Sequence, residues 1–159
     1  MAAGTFLKLA GIDGESTDRD HRNEIDVLSW TWGVTGATPA AGGGGGGAGR
    51  ATAQPLHFTH RYDKASPMLA KRAAAAQSIA SAVLSVRKAG RGQKDFLKIT
   101  LKDVFVSSVT ASGSDGGEVI ESVTLSYRSV ETAYRPQTKS GALGAEVKFG
   151  WDTVSHVVT

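Results

Sequence analysis

Apolar and polar residues alternate along most of this chain. TFLKLAGI, Thr5 to Ile12, alternates between bounding glycines, the period of a half-buried strand. In EIDVLSWTWGV, Glu24 to Val34, the period of two places Leu28, Trp30, Trp32 and Val34 on a strongly apolar face. Ile25, Val27, Ser29 and Thr31 take a semi-polar one. PLHFTHRY sets Leu56, Phe58, His60 and Tyr62 together. FLKITLKDVFVSSVTAS reads as a long strand whose phase slips near Lys102 and Asp103, which predicts a bulge. VIESVTLSYRSVETAYR is a second long strand, and AEVKFGWDTV closes the series with Val147, Phe149 and Trp151 alternating. One helix interrupts them. SPMLAKRAAAAQ offers Ser66 as N-cap, Pro67 at the first helical position and a run of strong helix formers, predicting a helix that ends near Gln77. SAVLSVRK after it is rich in β-branched residues and reads as strand again. The turns AGRGQK, SGSDGGE and KSGALG are glycine-led. Strands so separated predict an antiparallel sandwich or barrel rather than a parallel βαβ sheet.

Composition changes this picture little. The 159 residues are the length of one domain, and a compact domain of that size buries roughly 70% of its unfolded surface. A formal net charge of +3 is mildly basic, and the Lys and Arg residues are scattered. The densest cluster, RKAGRGQK at Arg87 to Lys94, reads as a solvated turn between strands rather than a phosphate patch, so no nucleic-acid partner is expected. The absence of cysteine excludes disulfides, thiolate catalysis and Cys-based zinc sites. MAAGTFLKLAG lacks the charged start and long apolar run of a signal peptide, and no stretch approaches the roughly 20 apolar residues that cross a bilayer. The expectation is a protein made in the cytoplasm, not inserted into a membrane, and exported, if at all, by a machine that reads no N-terminal signal.

Candidate chemistry is sparse. GGGGAGRA, Gly44 to Ala51, nearly matches a phosphate-binding loop, but Arg50 replaces the lysine and Ala51 the Mg²⁺-holding hydroxyl. The segment also leads through Pro55 into a strand, not into a helix N-terminus. DGESTDRDHRNE, Asp13 to Glu24, has the length and end residues of a Ca²⁺ loop. Asp18 stands where the tight turn needs glycine, no helix flanks it, and it reads as a solvated loop between strands. His57 and His60, three apart on a strand, point to opposite faces and cannot share a metal. Trp30, Trp32 and Trp151 read as core or subunit-interface residues rather than a ligand stack. No nucleophile sits in a strained turn. Neither an enzyme nor a cofactor or metal site is expected.

Four stretches together resemble one family. They are GIDGESTDRDHRNEIDVLSWTWGV (Gly11 to Val34), FTHRYDKASPMLAKRAAAA (Phe58 to Ala76), Leu97 to Gln137, and GALGAEVKFGWD (Gly141 to Asp152). In this order they are similar to the Hcp family, the haemolysin-coregulated tube proteins of type VI secretion. The signature positions are Gly14, Glu15, Ser16, Asp26, Trp30, Trp32, Asp63, Lys64, Ser66, Pro67, Trp151 and Asp152. The resemblance implies a mainly β protein: a small β-barrel of antiparallel strands with one short α-helix, spanning 1–159. It implies a hexameric ring, rings stacked into a tube, a contractile sheath around it and a spike protein at its tip. The lumen would carry effector proteins, and the protein would be cytoplasmic before firing and secreted afterwards. The resemblance also places an extended loop at 35–54, reaching towards the next ring. Gly42, Gly43, Gly44, Gly45, Gly46, Gly47, Gly49 and Arg50 are its candidate stacking residues. A phage tail tube protein shares this architecture. A monomeric β-barrel binding a small apolar ligand is the reading from another class.

Overall fold

The computed structural model describes residues 3–37, 50–89 and 94–159. In chain order it contains β1 (Gly4–Leu9), β2 (Ile25–Thr31), β3 (Val34–Thr35), β4 (Thr52–Ala53), β5 (Leu56–Arg61), α1 (Ala65–Ala75), β6 (Ile79–Arg87), β7 (Asp95–Gly113), β8 (Val119–Tyr134), β9 (Val147–Asp152) and β10 (Val157–Val158). Strands β8, β5, β2, β1, β6 and β7 follow one another in antiparallel pairs, and β7 pairs back onto β8. This closes a six-stranded barrel of the kind expected.

The two long strands serve two partners each. β8 pairs with β5 through Ile120–Leu125 and with β9 through Ser129–Tyr134. β7 pairs with β6 only as far as Val104, so among the described residues Phe105–Gly113 has β8 as its sole partner strand. The hydrophobic core holds Leu7, Ile25, Leu56, Phe58, Leu84, Ile99, Leu101, Val123 and Leu125 of the strands, joined by Ala65 and Leu69 of the helix. Full burial of Leu69 stabilises the docked helix by about 2 kcal/mol.

Local irregularities decide which residues reach that core. In β2 the register against β5 shifts between Val27 and Ser29, so one extra residue, Leu28, enters the strand. An extra residue inverts the side-chain phase. Ile25 and Val27 therefore pack on the core before it and Trp30 after it, whereas Leu28 and Val34 are 44% and 43% exposed. The single apolar face expected for Leu28, Trp30, Trp32 and Val34 is split.

The phase slip near Lys102 is present. Leu101 and Val104 are both fully buried, with Asp103 between them at φ 51. Pairing continues across this point on both sides, and the register shift falls later, between Val106 and Ser108.

The helix also starts differently. Ser66 lies inside α1, fully buried, and is not its N-cap. Lys64 is the N-cap and makes no side-chain cap bond; the capping side chain comes from Asp63 before it, whose Oδ1 accepts the Ala65 N–H at 2.9 Å, while the Ser66 Oγ accepts the Asp63 N–H at 3.1 Å. This reciprocal pair satisfies two donors, so the helix begins before Ser66 and Pro67 occupies its third position. At the far end Ala76 adopts a left-handed conformation, φ 51, and the N–H groups of Ala76 and Gln77 close on the carbonyls of Ala73 and Arg72.

Candidate functional site

The connection from β1 to β2, expected to be solvated, is bound to the barrel. At Gly14 an added Cβ would lie 2.5 Å from the Glu24 carbonyl oxygen, so only glycine lets the two ends of the loop close on each other. Backbone bonds Gly14–Asn23, Ser16–Glu24 and Asn23–Ser16 zip those ends, and Ser16 is 2% exposed. Glu15 accepts the Lys64 N–H at 2.8 Å, which ties the loop to the start of the helix.

Asp18 accepts both outer nitrogens of Arg87, one at 3.0 Å. Arg87 is 5% exposed, so this member of the supposedly solvated cluster is buried under the loop. Its hydrogen bonds hold the Asp18 pKa down at about 2. The Arg87 guanidinium also lies 5.1 Å from the centre of the Phe6 ring, on which His21 stacks at 4.4 Å. His21 bridges Glu24 and Asp95, at 3.0 Å each. A polar layer thus covers Phe6 on the outside of the barrel.

A second polar cluster sits inside the wall. His60 points inward with Leu56 and Phe58, while His57 on the other face contacts the Thr124 hydroxyl, as the three-residue spacing requires. The Nε2 of His60 lies 2.8 Å from Glu121 Oε1, and its Nδ1 3.7 Å from Asp63 Oδ2. For both His21 and His60, burial alone favours the neutral ring. The neighbouring carboxylates outweigh it, and both pKa values are raised.

The signature positions fall into two groups. Gly14, Glu15, Ser16, Asp26, Asp63, Lys64 and Ser66 meet where the loop touches the helix start, with Pro67 exposed beside them. Partial desolvation raises the Asp26 pKa, and the nearby Asp18 and Asp63 carboxylates add to it. Trp30, Trp32, Trp151 and Asp152 lie on the other side. Trp30 and Trp32 pack against the core, and Trp151 belongs to it at 7% exposure. The Trp32 indole N–H donates to the Tyr127 hydroxyl at 2.6 Å, which in turn donates to the Gln54 carbonyl. Asp152 accepts the N–H groups of Val154 and Ser155, and these bonds lower its pKa. Gly42 to Gly47 and Gly49 lie outside the described residues. Arg50, exposed, lies just before β4, the second strand of the short β3–β4 ribbon.

Arg87, Asp95, Glu121 and Tyr127 were not singled out from sequence. For Glu121 a signal existed: His60 and Glu121 are titratable residues on otherwise apolar faces of two strands. Arg87 and Asp95 carried none, because their burial depends on where a distant loop lands.

The outer face of β2, β5, β8 and β7 is a sheet of hydroxyls. Thr31, His57, Thr124 and Ser108 form one cross-strand row, and Ser29, Thr59, Ser122 and Thr110 the next. Ser29 and Thr59 join at 2.6 Å. No group of His, Asp and Glu among the described residues has the arrangement of a metal site, and no described helix is long and apolar enough to cross a membrane.

These features define a small closed antiparallel barrel with one docked helix, whose buried charged groups hold its own connections in place. The family model described as type VI secretion system effector, Hcp, matches residues 6–134. The chain is 42% identical to Protein hcp1 of Pseudomonas aeruginosa over 160 residues, 99% of each. Its fold is similar to a solved type six secretion system protein, with TM-score 0.91, 31% identity, and coverage of 99% of this chain and 100% of the other. Hcp1 from Salmonella typhimurium is similar too, with TM-score 0.81, 35% identity and full coverage of both chains. The chain belongs to the Hcp family of type VI secretion proteins.

Proposed function

We propose that this chain is the structural subunit of a type VI secretion inner tube. Hexameric rings stack, a contractile sheath surrounds them, and contraction expels tube and spike from the cytoplasm with effector proteins in the lumen. The work is mechanical and needs no catalytic group. The observation that carries this reading is the full-length match to an Hcp protein on a barrel whose polar clusters bind its own loops. The core packing of Leu7, Phe58, Leu69 and Leu101 supports it over a ligand-binding monomer.

Two surfaces support assembly. The edge of Phe105–Gly113, unpaired among the described residues, and the exposed Val147, Val154, Val157 and Val158 suit contacts between copies. The hydroxyl face suits a lumen wall, because uncharged hydroxyls contact many cargos without holding any by charge. Gly42 to Gly47, Gly49 and Arg50 are proposed to order at ring–ring or spike contacts. Equal hydrogen exchange there in isolated rings and in tubes would sink that assignment.

Native mass spectrometry with negative-stain imaging tests the main reading. A six-subunit mass and ring-shaped particles are expected. A stable monomer at micromolar concentration refutes it.

A further inference from the structure

Both ring nitrogens of His21 face carboxylate oxygens. Nδ1 lies 3.1 and 3.0 Å from the two oxygens of Glu24, and Nε2 lies 3.0 Å from Asp95 Oδ1. A carboxylate only accepts, and a neutral imidazole carries one N–H. Imidazolium alone satisfies both contacts; a neutral ring turns a lone pair towards one of the carboxylates. His60 repeats the pattern, with Glu121 at 2.8 Å on Nε2 and Asp63 at 3.7 Å on Nδ1, and Asp63 is the nearest anion to a nitrogen that has no hydrogen-bond partner.

Each histidine therefore joins separate elements. His21 fastens the end of the β1–β2 loop to the start of β7. His60, on β5, fastens the helix-start turn to β8. We propose that these two histidines are proton-operated latches: as cations they tighten the loop end and the helix start on the barrel, and losing the proton loosens both segments while the barrel stays folded.

The surroundings define how far the loosening extends. Facing His21 are Glu24 and Asp18 from its own loop and Asp95 from β7. Arg87 of β6 reaches it only across the Phe6 ring and is already paired with Asp18. Facing His60 are Asp63 and Glu121, with Phe58 of its own strand beside it and Val27 opposite on β2. The Asp18–Arg87 pair does not titrate in the alkaline direction, so the first half of the loop stays anchored. The loosening is confined to residues 19–24 and 62–66, which stay tethered by the backbone bonds of Asn23, Glu24 and Tyr62 and by the Glu15–Lys64 bond. The latch strength is fully present below the unfolded histidine value of 6.5 and is lost as pH rises through the higher folded values.

The test is a histidine C2–H NMR titration of the full chain from about pH 6 to about pH 9, with hydrogen exchange at the same pH values corrected for intrinsic chemistry. Both histidines are expected to titrate above 6.5. Protection of residues 19–24 and 62–66 is expected to fall about tenfold or more at the same midpoints, with β6 and β7 unchanged. His21→Gln should flatten the profile of the loop and leave that of the helix start. If His60→Gln does not fold, the titration of the unsubstituted protein still decides its latch. Either histidine titrating below 6.5, or flat protection across the range, overturns the proposal.

Discussion

Replacing Asp18 by Asn leaves the Arg87 guanidinium at the same place with its carboxylate gone. Arg87 is 5% exposed, so it cannot turn to water without opening the loop that covers it. Removing one partner of a buried ion pair costs about 3–5 kcal/mol. Two features place this case near the lower bound. Asp18 keeps 18% of its side-chain exposure, and Asp95 still attracts Arg87. A loss of about 3 kcal/mol is expected, which in a domain of this size lowers Tm by about 6–12 °C. The assay is urea unfolding followed by tryptophan fluorescence at fixed protein concentration, because any association of copies would add its own stabilisation. The double variant Asp18→Leu with Arg87→Met should recover most of the loss, since two apolar groups need no partner. The reasoning is refuted if Asp18→Asn costs under about 1 kcal/mol, or if the double variant is no more stable than the single one.

Other outcomes follow from the same geometry. Gly14→Ala should destabilise by about 2 kcal/mol or more, because its Cβ meets backbone rather than a movable side chain, and thermal unfolding reads it. Ala76→Gly should stabilise by up to about 1 kcal/mol by relieving a left-handed alanine at the helix end; an unchanged urea midpoint would contradict this. Tyr127→Phe leaves the part-buried Trp32 N–H without its acceptor and should cost about 1 kcal/mol in the same assay. In acid, the depressed Asp18 pKa contributes stability that is present above 3.8 and is lost as pH falls through about 2. Asp18→Asn should therefore show a shallower acid limb in denaturation against pH.

Much of the barrel was legible because strand alternation and glycine turns are local. Every major strand stretch and the helix are found where the pattern put them, and the opposite facing of His57 and His60 follows from a period of two. The family signature was legible as residue types, yet not as a place. That Glu15 would accept the Lys64 N–H requires two segments far apart in sequence to meet, and nothing in either segment states it.

The sequence by itself thus determined the kind of elements, their order and the family. Three things waited for the tertiary structure. The face of β2 depended on one extra residue at Leu28, which appears only when β5 lies beside it, since a bulge is a property of a pair of strands. The helix start depended on Asp63 rather than Ser66 supplying the capping side chain, a contest both residue types could win on propensity alone. The state of Asp18, His21 and Arg87 depended on burial. A charged residue in a polar loop is solvated by default, and only the packing of that loop over Phe6, with a partner for every charge, brings those groups out of water.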